Sequence, residues 1–426
     1  MARVLAATGR DQCDWSTEYR LFSRSPWQTR DLFFSVIQRA LPFAGPEKEP
    51  IVLAGDFTHL VKSGKQIPQL HCMRDPLSPP FHPNLIYGLR FFQVTVLCPF
   101  RDRQEQPLPA RSVPVRFEVS PVLSKPGKKA TEQERAHYQK ALKQRLSSVA
   151  ARQVLQQLRE DFDRAGAHSR QLLVALDGSF CNQVFFKKAI LGVELLCRCR
   201  KDAVLCLPHQ SVHGHKGPKR FYDPRCFTPD SVRQNETIPW QKGSFFHGGG
   251  FHPIRYKELQ AVLWRKGGGR RLLRLMVIAP TGYRLHQYGR LLYRQPAFLL
   301  STDRHSPVEQ LIAAYLERWQ IEVTHREEKS TLGLGHAQVR NPQSVPRQPA
   351  MVVAVYAMLL LAALRAYGPQ RTSDYLPPPK WGRPPPRPSL LDLISLLRKQ
   401  CQEAPQAIER FEIQTTALDL VLKAAA

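Results

Sequence analysis

An acid, two cations and a tyrosine share one face of the helix predicted for residues 315–329, YLERWQIEVTHREEK. At 100° per residue, Tyr315, Arg318, Glu322 and Lys329 fall within a stripe roughly 60° wide. Large apolar residues are predicted beside it, namely Ile312, Leu316, Trp319 and Val323. A carboxylate at the border of a buried face and next to cations suits a metal site that also meets phosphate. A solvated charged face with i,i+4 pairs is the alternative interpretation.

Two aspartates follow short apolar runs that are typical of buried strands. Residues 51–54 (IVLA) lead into Gly55 and Asp56, and residues 172–176 (LLVAL) lead into Asp177. Open α/β sheets bind ligands at the carboxyl ends of their strands. We therefore expect Asp56 and Asp177 to lie at one edge of a sheet, with Glu322 projecting toward them from its helix.

Other carboxylates compete for these three positions. Strand-end position disfavours Asp75 as a replacement for Asp56, and Asp202 or Asp223 as a replacement for Asp177. Glu317, Glu327 and Glu328 are the alternatives to Glu322. Helical register disfavours Glu317, which lies about 200° from Tyr315.

The elements that must position these residues alternate between strand and helix. Strands are predicted at 89–97 and 113–119, a long helix at 131–164, one or two strands within 191–207, and a strand at 297–301. Ser306, Pro307 and Glu309 predict a helix start with a serine N-cap, and this helix should run to about Thr331. Residues 350–364 are apolar throughout but too short to span a bilayer, which predicts a fully buried helix.

The regions outside this alternation differ in composition. Residues 208–290 contain Gly-, His- and Pro-rich patches and a predicted hairpin, with strand-like runs at 261–266 and 270–278 around three glycines. Residues 15–40 predict helices with interleaved basic and aromatic residues, either a remnant of a DNA-contacting domain or an amphipathic cap on the core. Residues 377–389 form a proline-rich linker, and 390–401 a short amphipathic helix.

The charge balance points to a polyanionic partner. The 426 residues include 62 Lys and Arg against 35 Asp and Glu, a net charge of +27, which indicates nucleic-acid binding. The N-terminus has no apolar stretch typical of a secretory signal. The nine cysteines show no paired C-x-x-C spacing, which favours buried free thiols over a zinc site. The loop histidines His213, His215, His247 and His252 favour a basic surface over a metal site for the same reason.

Tyr315, Arg318, Glu322 and Lys329 match Y-x2-R-x3-E-x6-K, and the chain thereby resembles one group of bacterial insertion-sequence DDE transposases. Gly55-Asp56-Phe57-Thr58 with residues 62–65 (KSGK), Asp177-Gly178-Ser179-Phe180 and residues 197–203 (CRCRKDA) are also similar to this group. The resemblance covers most of residues 15–365. Many relatives have Asp-Asp where Gly55-Asp56 stands here, and the chain before Asp56 is short for a complete DNA-recognition domain.

The resemblance implies an α/β fold of the ribonuclease H-like kind, with a mixed sheet flanked by helices and interrupted by a β-rich insertion. The implied division is a helical N-terminal segment (1–45), the core in two parts (46–207 and 291–370), the insertion (208–290), and a linker with a helical tail (371–426).

The implied activity is DNA cleavage and strand transfer by two Mg²⁺ or Mn²⁺ ions held by Asp56, Asp177 and Glu322. Tyr315, Arg318 and Lys329 would hold DNA phosphates, and Trp240 or Trp264 of the insertion either stacks on a flipped base or packs in the core. The implied partners are double-stranded DNA and a second copy of the chain in a paired-end complex, in the cytoplasm on the nucleoid and not at a membrane. An inactive or truncated DNA-binding inhibitor and a nuclease without strand transfer are the alternatives.

Overall fold

The structure is a computed structural model. It describes residues 12, 14, 16–64, 66–75, 78–79, 81–82, 84–102, 104–123, 125–127, 129–209, 221–247, 249–286, 288–377 and 387–403. Cys13, Trp15, Lys65, His213, His215, most of the proline-rich linker and the tail after residue 403 lie outside these residues. A mixed sheet with helices on its faces forms the fold, as the sequence predicts for an α/β protein.

Five strands form the part of the sheet that carries the predicted site. They are β1 (Ile51–Val61), β3 (Leu85–Arg101), β4 (Pro107–Val119), β5 (Leu172–Leu176) and β6 (Val193–Arg198). Their order is β4-β3-β1-β5-β6; β1, β5 and β6 run parallel, and β3 is antiparallel to both β1 and β4. This is the ribonuclease H-like arrangement that was predicted. The short β2 (His71–Arg74) pairs with the outer part of β3.

The sheet continues beyond β6 without interruption. Strand β14 (Ala297–Ser301) pairs antiparallel with β6, and β11 (Leu272–Ile278) and β10 (Gly250–Leu263) follow. The predicted hairpin is therefore present as β10 and β11. The remaining strands are β7 (Leu205–Pro208), β8 (Tyr222–Phe227), β9 (Gln241–His247), β12 (Gly282–Tyr283) and β13 (Leu292–Tyr293). The strands of the β-rich insertion thus extend the core sheet instead of forming a separate one, except for β12 and β13.

Helices cover both faces. They are α1 (Ser16–Ser23), α2 (Thr29–Ala40), α3 (Glu132–Gln144), α4 (Leu146–Phe162), α5 (Gln183–Phe186), α6 (Pro229–Gln234), α7 (Val308–Glu317), α8 (Gln320–Ser330), α9 (Ser344–Tyr367) and α10 (Leu390–Glu403). Helix α2 buries Phe33, Val36 and Ile37 in the main core, as an amphipathic cap does.

The long helix predicted at 131–164 is two helices. Arg145 has left-handed backbone angles (φ 50°, ψ 46°), which ends α3 and begins α4. Helix α3 begins at a capping box between Thr131 and Glu134, and only Ala141 is buried in it. Helix α4 buries an apolar face that includes Leu155 and Leu158. The break separates a solvated polar helix from a helix of the core.

The apolar helix α9 is long and apolar enough to cross a membrane by length and composition alone. It packs on β4 and α2 and buries Tyr356, Ala357 and Leu360. Its outer face is open, with Val355 60% exposed, so the prediction of a fully buried helix is wrong for that face.

Candidate active site

Asp56 and Asp177 are brought side by side by the register of β1 and β5. Gly55 pairs with Leu176, the last pair of this parallel ladder, so the two aspartates follow at the same edge. Strand β1 does not end there, as the sequence suggested, but continues to Val61 against β3. Asp56 therefore projects from a strand that is paired on one side only, where β5 has stopped.

A stack of aromatic rings fixes these two segments to each other. The ring of Phe57 stacks on that of Phe180 with centroids 4.7 Å apart, and Phe92 packs against both. The Asp177 carboxylate caps the tight turn that follows β5, where its Oδ1 accepts from Ser179 N at 2.9 Å and from Ser179 Oγ at 2.6 Å. The sequence Asp-Gly-Ser-Phe thus positions the aspartate by a cap on one side and an aromatic anchor on the other.

Glu322 reaches the same edge from α8. Its neighbour Ile321 is fully buried against Ala54 and Leu97, which holds the start of α8 over β1. Ala54 and Asp56 are two residues apart on β1 and therefore share a face of the sheet. The side chain of Glu322 is 34% exposed and that of Asp56 21%.

Arg318 joins the two acids. Its Nη1 donates to Asp56 Oδ2 at 3.3 Å and its Nη2 donates to Glu322 Oε1 at 3.0 Å. The predicted continuous helix breaks here, because α7 ends at Glu317 and α8 begins at Gln320. The backbone bonds tighten to i−3 acceptors, with Glu322 N donating to Trp319 O at 3.0 Å. Ser306 also differs from its prediction, since its hydroxyl donates to Asp303 and the helix start has no side-chain cap.

The carboxylates interact electrically. Burial, the largest cause, and the charges of Asp177 and Glu322 together raise the pKa of Asp56 to about 6, although Arg318 and the Phe57 amide act to lower it. A carboxylate that resists ionisation beside two others indicates a place where a cation is favoured.

Tyr315 and Lys329 complete the predicted stripe around these acids. Burial raises the pKa of Tyr315, whose hydroxyl also responds to the charges of Arg318, Arg198 and Asp177. Burial lowers the pKa of Lys329, and the charges of Glu328 and Asp56 oppose that shift. Tyr315 thus feels the charges of Arg318 and Asp177, and Lys329 feels that of Asp56, so both lie near the site that Arg318 forms with Asp56 and Glu322.

The donor set fits hard divalent cations in kind, since three carboxylates from separate segments are what Mg²⁺ and Mn²⁺ take from proteins. Among the described residues, no three His, Cys, Asp or Glu side chains are already close enough together to hold one ion. The guanidinium of Arg318 bridges two of the three carboxylates and stands in for such a cation.

The competing carboxylates are engaged elsewhere. Glu317 accepts from the Ala110 amide, Glu327 from the Tyr356 hydroxyl, and Glu328 from the Gln93 amide at 2.8 Å. Asp202 forms an exposed ion pair with Arg200, and the Asp223 side chain accepts from the Arg225 amide. Asp75 follows β2 at the outer margin of the sheet. The charged groups that shift the pKa of Asp56 are instead Asp177, Arg318 and Glu322.

Sequence reasoning missed two histidines and misplaced a tryptophan. His325 is fully buried one turn after Glu322, and burial together with the charges of Lys329, Arg318 and His59 lowers its pKa to about 3. Burial and the charges of Arg90 and Lys329 lower the pKa of His59 to about 4. Spacing offered a signal for His325, which is i+3 from Glu322. Trp319 was predicted on the apolar face, but the break at Arg318 turns it outward and leaves it 60% exposed.

The two tryptophans and two histidines of the insertion pack against neighbouring side chains, and the described cysteines form no disulfides. The Trp264 ring packs edge-on against Phe186, and the Lys257 ammonium lies 4.6 Å from the centre of the Trp240 ring. His247 and His252 stack on each other across the β9–β10 hairpin. The eight described cysteines are free; Cys98, Cys197, Cys199 and Cys206 are buried, whereas Cys72 and Cys226 are exposed. The prediction of buried thiols is thus right for half of them.

The comparison with known families gives one match. The profile of the family described as DDE superfamily endonuclease matches residues 1–271, which include Asp56 and Asp177 and end before Glu322. No curated protein sequence is similar enough to the chain to count as a match.

Proposed function

Because the chain belongs to the DDE superfamily endonucleases, with 271 of its 426 residues matched, we propose that it is a transposase that cuts and joins the ends of an insertion sequence. The observation that supports this most is the meeting of Asp56, Asp177 and Glu322 at one sheet edge, together with Tyr315, Arg318 and Lys329 in the Y-x2-R-x3-E-x6-K pattern. We place it in the group of bacterial transposases with that pattern.

The three carboxylates are proposed as the catalytic and metal-binding residues. Two Mg²⁺ or Mn²⁺ ions bound there would stabilise the charge that builds up on the attacking and leaving oxygens of a phosphodiester. Asp177 is held by the Ser179 cap, and Asp56 by the Phe57 amide, so both carboxylates are oriented before any ligand arrives. Among the residues that the structure describes, the Glu322 carboxylate has only Arg318 as a hydrogen-bond partner, which leaves Glu322 the most adjustable of the three.

The cations of the site are proposed to hold DNA phosphates. Arg318 and Lys329 carry charge beside Asp56. Guanidinium and ammonium groups bind phosphate by charge-assisted hydrogen bonds. With DNA bound, a water oxygen attacks phosphorus, the P–O3′ bond breaks, and the 3′-hydroxyl that is released becomes the nucleophile in the joining step.

The DNA partner, the oligomeric state and the cellular location of the protein are also proposed. Double-stranded DNA, as element ends and as target, matches the net charge of +27. Two ends must be held together for transfer, so we propose a homodimer in the paired-end complex. The protein would act in the cytoplasm, on the nucleoid.

The proposal is tested with element-end DNA in Mn²⁺. We expect Asp56→Asn, Asp177→Asn and Glu322→Gln to reduce cleavage at least about a hundredfold, as the loss of a group that stabilises transition-state charge does. Asp202→Asn is the matched control, because Asp202 is an exposed aspartate near the same edge that pairs with Arg200. Normal cleavage by the three site variants would overturn the assignment of the carboxylates.

The products separate the alternative functions. Joined product on target DNA supports a transposase, whereas cleavage without joining supports a ribonuclease H-like nuclease. DNA binding without Mn²⁺-dependent cleavage supports a non-catalytic inhibitor of an active transposase.

A further inference from the structure

A short hairpin stands apart from the main sheet. Within the part of the chain that the structure describes, strands β12 and β13 pair only with each other, through Gly282 with Tyr293 and Tyr283 with Leu292. The hairpin, residues 282–293, is closed by internal contacts. Arg284 donates to the Gly289 carbonyl, Gly289 N donates to His286 O at 2.8 Å, and Arg294 N donates to Thr281 O at 2.9 Å. It is therefore a defined arm with its own hydrogen bonds.

The arm exposes large apolar and aromatic side chains, which soluble proteins normally bury. Leu285 is 77% exposed, Tyr288 90% and Tyr293 65%. Arg284, Arg290 and Arg294 lie among them and are exposed too. Clustered exposed apolar and aromatic side chains mark interaction surfaces, and the interleaved arginines narrow the partner to a polyanion with apolar surface.

The sequence on either side of the arm carries only basic charges, of which Arg271 and Arg274 are paired with Glu194 and Glu258. Between Glu258 and Asp303 the sequence contains eight Arg and Lys residues and no Asp or Glu. Such a stretch repels a second copy of itself and attracts nucleic acid. Duplex DNA offers both features the arm requires, phosphates for the arginines and sugar and base surfaces for leucine and tyrosine.

The register of the sheet places the arm at the edge that carries Asp177. In the shared register, Leu176 pairs with Cys197 of β6, and Cys197 pairs with Leu300 of β14. Strand β14 is antiparallel to β6, so it begins, at Ala297, beyond the carboxyl end of β6. Ala297 pairs with Ile278, and the arm lies between them in sequence. Two strand spacings, about 10 Å, separate β14 from β5.

We propose that the hairpin 282–293 is a second DNA-binding element, which grips the duplex beside the bond held at the carboxylates. Arg290 and Arg294 bind backbone phosphates, and Leu285 and Tyr288 enter the adjacent groove. This inference rests on the proposed function, since it takes the DNA at Asp177 as the same molecule.

The test is binding of the full chain to an uncleaved 30-base-pair duplex in EDTA, at a series of salt concentrations. Changing both Arg290 and Arg294 to Gln should lower the slope of log K against log [salt] by about 2, one for each lost phosphate contact. Leu285→Ser with Tyr288→Ser should weaken binding about tenfold or more without changing that slope, because no charge is removed.

Matched controls come from the opposite edge of the sheet. Arg39 and Arg101 are exposed there, at the ends of α2 and β3, and changing both to Gln removes the same charge. Leu191, which is 93% exposed before β6, provides the control Leu191→Ser. Circular dichroism of each variant checks the fold.

The outcomes distinguish the arm from the active site. If the Arg39 and Arg101 control lowered the slope of log K against log [salt] equally, the DNA-binding role of the arm would be refuted, since total charge would then explain binding. Unchanged binding by the arm variants would also overturn it, while Mn²⁺-dependent cleavage and its loss in Asp177→Asn would leave the proposed function standing. A change in molecular mass of the arm variants with unchanged DNA binding would show a self-association surface and overturn the DNA role.

Discussion

The guanidinium of Arg318 donates to the carboxylate of Asp56 at 3.3 Å, across 262 positions of the chain. The same group donates to Glu322, so one internal cation bridges two of the three proposed metal ligands. Divalent ions and Arg318 therefore compete for the same negative charge. A DNA phosphate that draws Arg318 away would make the acids more available, which couples metal binding to DNA binding.

Arg318→Gln should bind Mn²⁺ more tightly than the wild type when DNA is absent. Removing one competing cation between two carboxylates is expected to raise the affinity about tenfold. Isothermal titration calorimetry without DNA measures this directly. Arg326→Gln is the control, because Arg326 is an exposed arginine of α8, the helix that follows Arg318. Equal or weaker Mn²⁺ binding by Arg318→Gln would refute the competition.

Acid should release the metal before it unfolds the protein. The pKa of Asp56 is raised to about 6, so Mn²⁺ affinity should fall below pH 6, approaching tenfold per pH unit. The same pKa shift changes the folding stability in the opposite direction from the metal affinity. A carboxyl with a raised folded-state pKa favours the folded state at low pH, and that contribution is lost as the pH rises through about 6. Mn²⁺ titrations between pH 5 and 7.5, with circular dichroism alongside, test both parts; constant affinity down to pH 5 would contradict the shift.

Glu328→Gln should stabilise the protein at alkaline pH. Burial raises the pKa of Glu328 to about 8, and its Oε1 accepts from Gln93 Nε2, a bond that glutamine can also accept. The stability from the protonated acid is complete below its unfolded pKa and is lost as the pH rises through about 8. We expect a gain on the order of a few kcal/mol at pH 8.5 that vanishes near pH 4.

Thermal melts across this pH range measure the effect. Glu327→Gln is the control, because Glu327 lies on the same helix as Glu328 and its carboxylate accepts from Tyr356 of α9. A gain that did not vary with pH would rule out titration of Glu328 as the cause.

Gly55 should not tolerate a side chain. A Cβ at this position would lie 2.6 Å from Leu176 Cδ2 and 3.2 Å from Phe92 Cζ. Gly55→Ala should therefore cost about 1–3 kcal/mol by overpacking, and Gly55→Asp more, because it also buries a charge. Gly178→Ala is the control, since its Cβ would meet only the Arg198 carbonyl at 3.5 Å. Urea denaturation compares them. The Asp-Asp pair of many relatives thus has no room here, and equal stability of Gly55→Asp would refute that.

The strands and the proximity of Asp56 and Asp177 were predictable from the sequence, because an apolar run that ends in an acidic residue indicates where a buried strand reaches the edge of its sheet. The runs before Asp56 and Asp177 gave the correct neighbours in the sheet. Helical periodicity also placed Arg318 and Glu322 on one side.

The local breaks were not predictable, because they depend on contacts between distant segments. Periodicity assumes a uniform turn and so missed the tightening at Arg318 and the outward Trp319. Arg145 adopts left-handed angles although no glycine marks the site. Glu328 is buried where it accepts a hydrogen bond from Gln93, on a strand more than 200 residues away in the sequence.

The unbroken ladder of backbone bonds from β5 through β6 to β14 fixes Ala297, where the chain returns from the arm to the sheet, relative to Asp177. Their separation is consequently set by strand spacing and not by a flexible tether. At 3.4 Å per base pair, about 10 Å corresponds to roughly three base pairs. A DNA-binding arm attached at such a fixed point would contact the duplex a set number of base pairs from the cleaved bond.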